Sequence, residues 1–496
     1  MSKEKQHNKR DGGLNHILKY TGIFGLVQVL NMLMNIIRNK IAAMFLGPSG
    51  MGMLDMYNKA TNLLSESTNF GISISGVKHV SEVSAQENHA RTLHYVTTLR
   101  TYSVMVGLLG MVACICCHWL LSESYKTVNF LVVSPVILMM AVTGGEMAVL
   151  KGTKRLMSLT IVSVLVAFII LAVFAPCFYL MRSESIPYAL LLSQLLVMLA
   201  TLHYSAQGLP YRLGLFSREY LREGVPMLRL GIGLIVAGLF GKGSELFVNY
   251  FIEQSNGLGD VGLYNRGYTM AVVYASIIFS AMDADYYPRL SSTGGDIRLQ
   301  NDTVNHQIEV CVLLISPFLI FFAIGMPLII PILFTQAFVD CVSMSIGALL
   351  FMYFRALCLP VSYLALARGD SKMYMLTELV YDVLIAVVVP YAYAKWGLAA
   401  TGFTISACGL LDLLMIYGLY RWRYHFRFDF SHMWIYVAHG LLLCCAIVLA
   451  FHSHGWVRWC LGGLLGLLSL GLSVRILSKE TQFIEKLKSK FRRRHE

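Results

Sequence analysis

Two short triplets, Tyr57-Asn58-Lys59 and Tyr264-Asn265-Arg266, each put a cation behind a tyrosine and an asparagine within a strongly apolar stretch, 207 residues apart. Fixed positive donors that face one cavity suit a polyanionic head such as pyrophosphate, which they bind by charge-assisted hydrogen bonds. Arg38, Lys40, Lys242 and Arg355 lie in or at the edge of other apolar segments and join Lys59 and Arg266 as candidate ligands of such a head. Acids accompany them: Asp55, Glu66, Glu146, Glu245, Asp283, Asp285, Glu378, Asp382 and Asp412. Charges at membrane depth are costly and usually face a cavity or a partner. Among the acids, Glu66, Asp283 and Glu146 are the candidates for ion coupling or gating. Each of these charges has a plainer alternative, a snorkelling side chain or a pair that holds helices together. Asp283 and Asp285 stand one turn from a helix end, and Lys242 and Glu245, three apart on one helix, are placed to neutralise each other.

No enzyme signature competes with this reading. The chain has no Walker A loop, no dinucleotide fingerprint between a strand and a helix, no HExxH and no G-x-S-x-G. Cys114 and Cys117 have C-x-x-C spacing but lie within an apolar run, where packing is the favoured role, and His452 and His454 read as solvated loop residues. The expectation is therefore no enzyme, no catalytic set, no metal site and no cofactor, with H+ or Na+ as the coupling ion.

Composition decides what positions these charges. Only 14% of the 496 residues are charged and 56% are hydrophobic, and the mean hydropathy is +0.61. Soluble chains carry roughly 25% charge. The net charge of +12 would suggest nucleic acid in a soluble protein, but here it reads as cytoplasmic loop bias, and no nucleic-acid partner is expected. Windows of about 20 residues, enough to cross the hydrocarbon, mark fourteen spans. Six lie near 17–37, 51–77, 98–121, 127–150, 156–181 and 186–205, and six more near 226–252, 261–287, 307–334, 341–366, 373–393 and 397–420. The last two lie near 432–451 and 456–476. With both termini in the cytoplasm, most Lys and Arg fall on the cytoplasmic side, and only Lys126, Arg182, Lys395 and Arg458 lie clearly outside.

The expected architecture is all-α and integral to the membrane. A cytoplasmic segment 1–16 leads to a six-helix lobe 17–205, a connector 206–225, a second six-helix lobe 226–420, two added helices within 432–476 and a basic tail 477–496. The lobes look like copies. Val149-Leu150-Lys151-Gly152 with Leu159-Thr160 matches Leu366-Ala367-Arg368-Gly369 with Leu376-Thr377 at an offset of 217. Gly50-Met51-Gly52-Met53 matches Asp260-Val261-Gly262-Leu263 at 210. An even number of spans per copy gives both one orientation, as in parallel-repeat transporters. Gly47-Pro48-Ser49-Gly50 and Gly257-Leu258-Gly259 read as tight turns feeding the next helix, with a gate as the lesser reading.

Gly47 to Leu54, together with Val261-Gly262-Leu263-Tyr264 running to Tyr286-Tyr287-Pro288-Arg289-Leu290-Ser291, resembles the Wzx-type O-antigen and enterobacterial common antigen flippases. These belong to the multidrug/oligosaccharidyl-lipid/polysaccharide exporter superfamily, and the resemblance covers roughly residues 15 to 420. It implies a multi-pass protein of the bacterial inner membrane that turns an undecaprenyl-pyrophosphate-linked oligosaccharide across the bilayer by alternating access. Its partners would be membrane lipid, a polysaccharide polymerase and chain-length proteins. No fixed residue set carries over, because the cavity charges of this family differ between members. The competing reading is a cation-coupled antiporter of the multidrug and toxic-compound extrusion type. In it, carboxylates rather than cations would dominate the cavity. Under the flippase reading Tyr264, Tyr268 and Tyr274 are candidate platforms for sugar rings, with core packing as the equal alternative.

Overall fold

Every regular element among the described residues is helical. The computed structural model describes residues 2–86, 88–121, 127–214, 218–453 and 455–481. The side chains of 2–26, 280–284, 479–481 and several positions between 218 and 237 fall outside it. The basic tail beyond 481, Lys126, His454 and the side chain of Asp283 therefore lie outside the described residues.

The chain divides into two compact units, Met1–Leu246 and Phe247–Glu496. The first holds α1 (Ser2–Asn69), α2 (Ile72–Ser84), α3 (His89–Leu121), α4 (Phe130–Gly152), α5 (Leu156–Met181), α6 (Ile186–Ala206) and most of α7 (Arg218–Asn256). The second continues through α8 (Leu258–Tyr268), α9 (Ile277–Ser291), α10 (Ile297–Leu333), α11 (Val342–Ala367), α12 (Ser371–Tyr424), α13 (Met433–His452) and α14 (Gly455–Thr481).

Nine helices among the described residues are long and apolar enough to cross a membrane, and three of them, of 43, 51 and 54 residues, are long enough to cross twice. Each of the three bends where an apolar helix meets a residue with positive φ: Gly47 in α1 (φ 63), Arg182 between α5 and α6 (φ 49) and Gly397 in α12 (φ 75). The bends reverse the chain. Arg155 at the start of α5 donates to the Ser205 carbonyl at the end of α6 (3.1 Å), and Tyr424 at the end of α12 reaches Asp370 ahead of its start (3.0 Å). Three such hairpins and six single helices make twelve crossings. The 39-residue α7 and the α8–α9 pair are the other two of fourteen. All six tryptophans support this placement. Trp119, Trp396, Trp422, Trp434, Trp456 and Trp459 sit near helix ends and are 45% to 85% exposed, as residues of an aromatic belt at the lipid headgroups are.

The first span is longer than the expected 17–37. Ile41-Ala42-Ala43-Met44-Phe45-Leu46 stays helical up to Gly47, and Pro48, which starts helices readily, opens the second leg. Arg38 and Lys40 consequently lie not at a helix end but roughly 10 to 14 Å before the bend, at 1.5 Å per residue. The expected second and eighth spans are each interrupted. Phe70 (φ 48) and Gly71 (φ 66) separate α1 from α2, and a π-helical turn over Thr269–Val273 separates α8 from α9.

Local backbone supports the duplication. Gly47 has φ 63 and ψ −174, and Gly257, at the offset of 210, has φ 86 and ψ −175. Side chains rarely adopt this region, so glycine is the residue that fits. In the other matched place the helix ends correspond at 215 rather than 217. Lys154 and Arg155 donate to the carbonyls of Lys151 and Leu150, as Gly369 and Asp370 do to Leu366 and Ala365.

In the first unit a core of Ile72, Val80, Val96, Leu99, Tyr102, Ala148, Val149 and Met227 joins α2, α3, α4 and α7. Here α7 also meets the α1–α2 break backbone to backbone, and a Cβ on Gly71 would stand 2.3 Å from the Gly231 carbonyl oxygen. Gly71→Ala is expected to cost about 2 to 4 kcal/mol through positive φ and overpacking. Its melting temperature in detergent would fall well below that of Gly238→Ala, where the new methyl meets open space. Equal melting of the two variants would refute the tight contact.

Candidate functional site

The candidate charges of the first unit form a lattice between two helices. On α1, Lys59 and Glu66 are seven apart and share a face, since two turns separate them. On α7, Glu245 and Lys242 are three apart. Lys59 Nζ lies 3.2 Å from Glu245 Oε2, and Lys242 Nζ pairs with Glu66 Oε1. Pairing rises along α1 as it falls along α7, so the helices run antiparallel, and the Gly71–Gly231 contact continues the same register. The expected neutralisation of Lys242 by Glu245 within one helix is thus replaced by two pairs across helices. These pairs are not closed off. The side chains keep 21% and 51% of their surface in the first pair and 40% and 42% in the second. Lys59 stands eleven residues beyond Pro48 in a leg that ends at Asn69, close to the middle of a bilayer crossing. Charges this exposed at that depth need an aqueous surface.

Glu146 stands in a different setting. It is 1% exposed and receives two hydrogen bonds from Arg100 of α3, Nε at 2.8 Å and Nη2 at 2.9 Å. Nη1 of the same guanidinium donates to the carbonyls of Leu209 (3.1 Å) and Pro210 (2.8 Å), and Tyr211 covers it with its ring centroid at 4.9 Å. Gly214 N is held by Thr101 Oγ1 at 2.9 Å. The connector after α6 is therefore laced to α3 instead of hanging free. Arg100 was not among the sequence candidates. It opens an expected span like an ordinary edge cation, and only the packing of α3 against α4 reveals its role.

In the second unit Arg266 is 6% exposed, nine residues beyond the Gly257 bend, with its guanidinium 5.8 Å from the Phe334 ring centroid. Tyr264 and Tyr268 stack on each other at 6.4 Å, and Tyr264 is buried. Lys59 and Arg266 share a sequence triplet but not an environment. Counted from the matched glycine bends, Lys59 lies three residues farther along its helix, nearly one turn.

Arg355, midway along α11, faces both legs of the α12 hairpin. It stands 3.9 Å from Glu378 and 3.8 Å from Asp412. Asp412 also accepts from Cys358 Sγ at 3.3 Å, and Tyr381 stacks on Phe351. Arg38 and Lys40 on α1 are half-buried and engaged with neighbours. The structure therefore brings Lys59, Glu66 and Lys242 together, adds Glu245, and places Arg355 in a second cluster with Glu378 and Asp412.

The turns around Asp370 and His425 are polar and hydrogen-bonded. Asp370 accepts from Tyr424, from the Met373 amide (3.2 Å) and from Arg423 (3.3 Å). These bonds, that of Tyr424 foremost, hold its carboxyl below the usual carboxylate range. Asn301 and Asn305, one turn apart on α10, bind the backbone of His425, Arg427 and Asp429. They fix the strap that leads to α13. A polar cleft of about 640 Å³ beside this strap involves none of the candidate residues. Among the described residues no group of His, Cys, Asp and Glu is arranged to hold a metal ion.

The fold is similar to that of the lipid II flippase MurJ in its inward closed conformation, with a TM-score of 0.70 at 11% identity over 93% of this chain and 99% of that one. An inward-facing multidrug resistance MATE family transporter of the MOP superfamily gives 0.65 at 14% identity over 80% and 94%. A MOP superfamily transporter from Pyrococcus furiosus gives 0.57 at 13% over 82% and 96%. No curated protein sequence matches the chain. A family described as polysaccharide biosynthesis protein matches residues 41–343, well over half of the sequence. With its multi-pass helical architecture and the fold of the MOP transporters, the chain belongs to the polysaccharide biosynthesis protein family, in keeping with its resemblance to the Wzx-type flippases.

Proposed function

We propose that the protein turns an undecaprenyl-pyrophosphate-linked oligosaccharide, a repeat unit of O-antigen or a related surface polysaccharide, from the cytoplasmic to the outer leaflet of the bacterial inner membrane. Both termini lie in the cytoplasm, and alternating access of the two lobes drives the exchange. The observation that carries this reading is the half-exposed lattice of Lys59, Glu66, Lys242 and Glu245 near mid-bilayer. Helices facing only lipid or packed neighbours would exclude such charges, so α1 and α7 border a polar path. Cations along that path and at Arg266 and Arg355 suit the pyrophosphate, while a polyprenyl tail stays in lipid. Family membership supplies the context of polysaccharide assembly, and the lipid II flippase supplies a related fold at work on a lipid-linked cargo.

Deletion of the gene is expected to strand lipid-linked repeat units on the cytoplasmic face and to remove the surface polysaccharide, with both restored by the wild-type chain. Measuring protected and accessible repeat units in spheroplasts checks this. A deletion strain that lacks any redundant flippase yet keeps normal surface polysaccharide would refute the cargo. If it instead became sensitive to organic cations, the extrusion-type antiporter would be the better reading. The coupling ion is a proton or sodium, with Glu66, Glu146 and Asp283 as its sequence candidates. Polysaccharide polymerase and chain-length proteins are the expected partners.

A further inference from the structure

Arg355 is held in a way that Arg100 is not. Arg100 makes two hydrogen bonds of 2.8 and 2.9 Å to Glu146 in a pair sealed from solvent. Arg355 stands 3.9 and 3.8 Å from its acids, beyond the roughly 2.7 to 2.9 Å of a charge-assisted hydrogen bond. Arg355 and Glu378 keep 22% and 23% of their side-chain surface open. Two carboxylates thus flank one partly exposed guanidinium loosely, Glu378 on the open side and Asp412, 4% exposed, on the buried side. Polar neighbours of the cluster include Cys358 on α11, which donates to Asp412, and Tyr381 on α12.

We propose that Glu378 and Asp412 are built-in competitors for Arg355. They hold the guanidinium between transport events, yield it to the phosphate oxygens of the anionic head, and reclaim it as the head leaves. This rests on the reading of the cargo as pyrophosphate-linked and adds how the cargo is released. Arginine binds phosphate bidentately and keeps its charge, so an unopposed Arg355 would load well and let go slowly. A carrier needs binding firm enough to load and weak enough to leave. Because the anion has to displace carboxylates already in place, its net affinity is the difference between two ion pairings. In the first unit Lys59 and Lys242 are also matched to carboxylates, Glu245 and Glu66, but in closer pairs than those of Arg355.

The test uses the full-length protein in detergent, with binding of inorganic pyrophosphate and, separately, of farnesyl pyrophosphate measured by calorimetry. Glu378→Gln keeps the side-chain shape and leaves Asp412 to neutralise Arg355, so the fold is retained. Glu378→Gln should bind about two- to fivefold more tightly than wild type, the range expected when a partly exposed ion pair is removed. It should also turn over lipid-linked cargo more slowly in vesicles. Asp412→Asn should do the same, and Arg355→Gln should bind weakly and gain nothing from Glu378→Gln. Tightening with farnesyl pyrophosphate alone would support the competition with a lipid-borne head as its ligand, and tightening with both probes would support it with the pyrophosphate as the whole determinant. Unchanged or weaker binding, slower turnover without tighter binding, or a gain that survives loss of Arg355 would overturn it. Tightening in a protein whose deletion strands no lipid-linked cargo would sink the cargo assignment and leave the competition standing.

Discussion

Arg100→Met lowers the stability of the protein by about 3 to 5 kcal/mol, the usual cost of removing one partner from a buried ion pair. Methionine fills much of the space but leaves the Glu146 carboxylate, 1% exposed, without its cation, and the carbonyls of Leu209 and Pro210 without their donor. Adding Glu146→Leu recovers part of the loss, because removing both charges together takes away the stranded one. The double variant should therefore melt higher in detergent than Arg100→Met alone, and a double-mutant cycle should give a clear interaction energy. The connector over residues 207–214 should become more sensitive to protease in Arg100→Met, since the guanidinium supplies two of the bonds that fasten it to α3, beside that of Gly214 to Thr101. Strictly additive losses, or an unchanged cleavage pattern, would show that Arg100 and Glu146 act independently. The experiment also bears on Glu146 as a gating candidate. A sealed bidentate pair that fails mainly by unfolding is structural, whereas a folded Glu146→Gln protein with altered transport would restore its part in gating.

The spans were legible because the physics behind them is local. Apolar windows of about 20 residues mark crossings, and Gly47 to Gly50 marks the first bend, so the hairpin at Gly47 lies where the sequence places it. Side-chain partners depend on which helix packs beside which, and no single window contains that. Lys242 and Glu245 have the spacing of an intrahelical pair, worth about 0.2 to 0.5 kcal/mol. Two charges waiting on α1 at matching height offer each of them an alternative, and the pairing goes there. Arg100 carries no signal of its own in the sequence, yet its guanidinium donates to Glu146 and to the carbonyls of Leu209 and Pro210. The extension of α1 past residue 37 had a visible signal in Ile41 to Leu46, which Arg38 and Lys40 masked by looking like the start of a loop.

Arg266→Met should reduce export of lipid-linked cargo by at least about tenfold, the equivalent of one charge-assisted contact of about 1.4 kcal/mol or more. Methionine is the informative replacement. Arg266 lies among buried neighbours from Val261 to Gly267 and against Phe334, so Arg266→Ala would open a cavity and mix instability with loss of charge. A long apolar side chain keeps the packing and removes only the cation. Arg266→Lys should retain part of the activity, because an ammonium supplies the charge without the bidentate fork. The measurement is the amount of lipid-linked repeat unit left on the cytoplasmic face, normalised to folded protein in the membrane. Lys59→Met, in the half-exposed lattice, gives the comparison. The two residues belong to different units of the chain, so each variant tests its own unit's part in export. Full export by Arg266→Met at normal protein levels would remove Arg266 from the cargo path and leave its ring contact with Phe334 as a packing feature of α8.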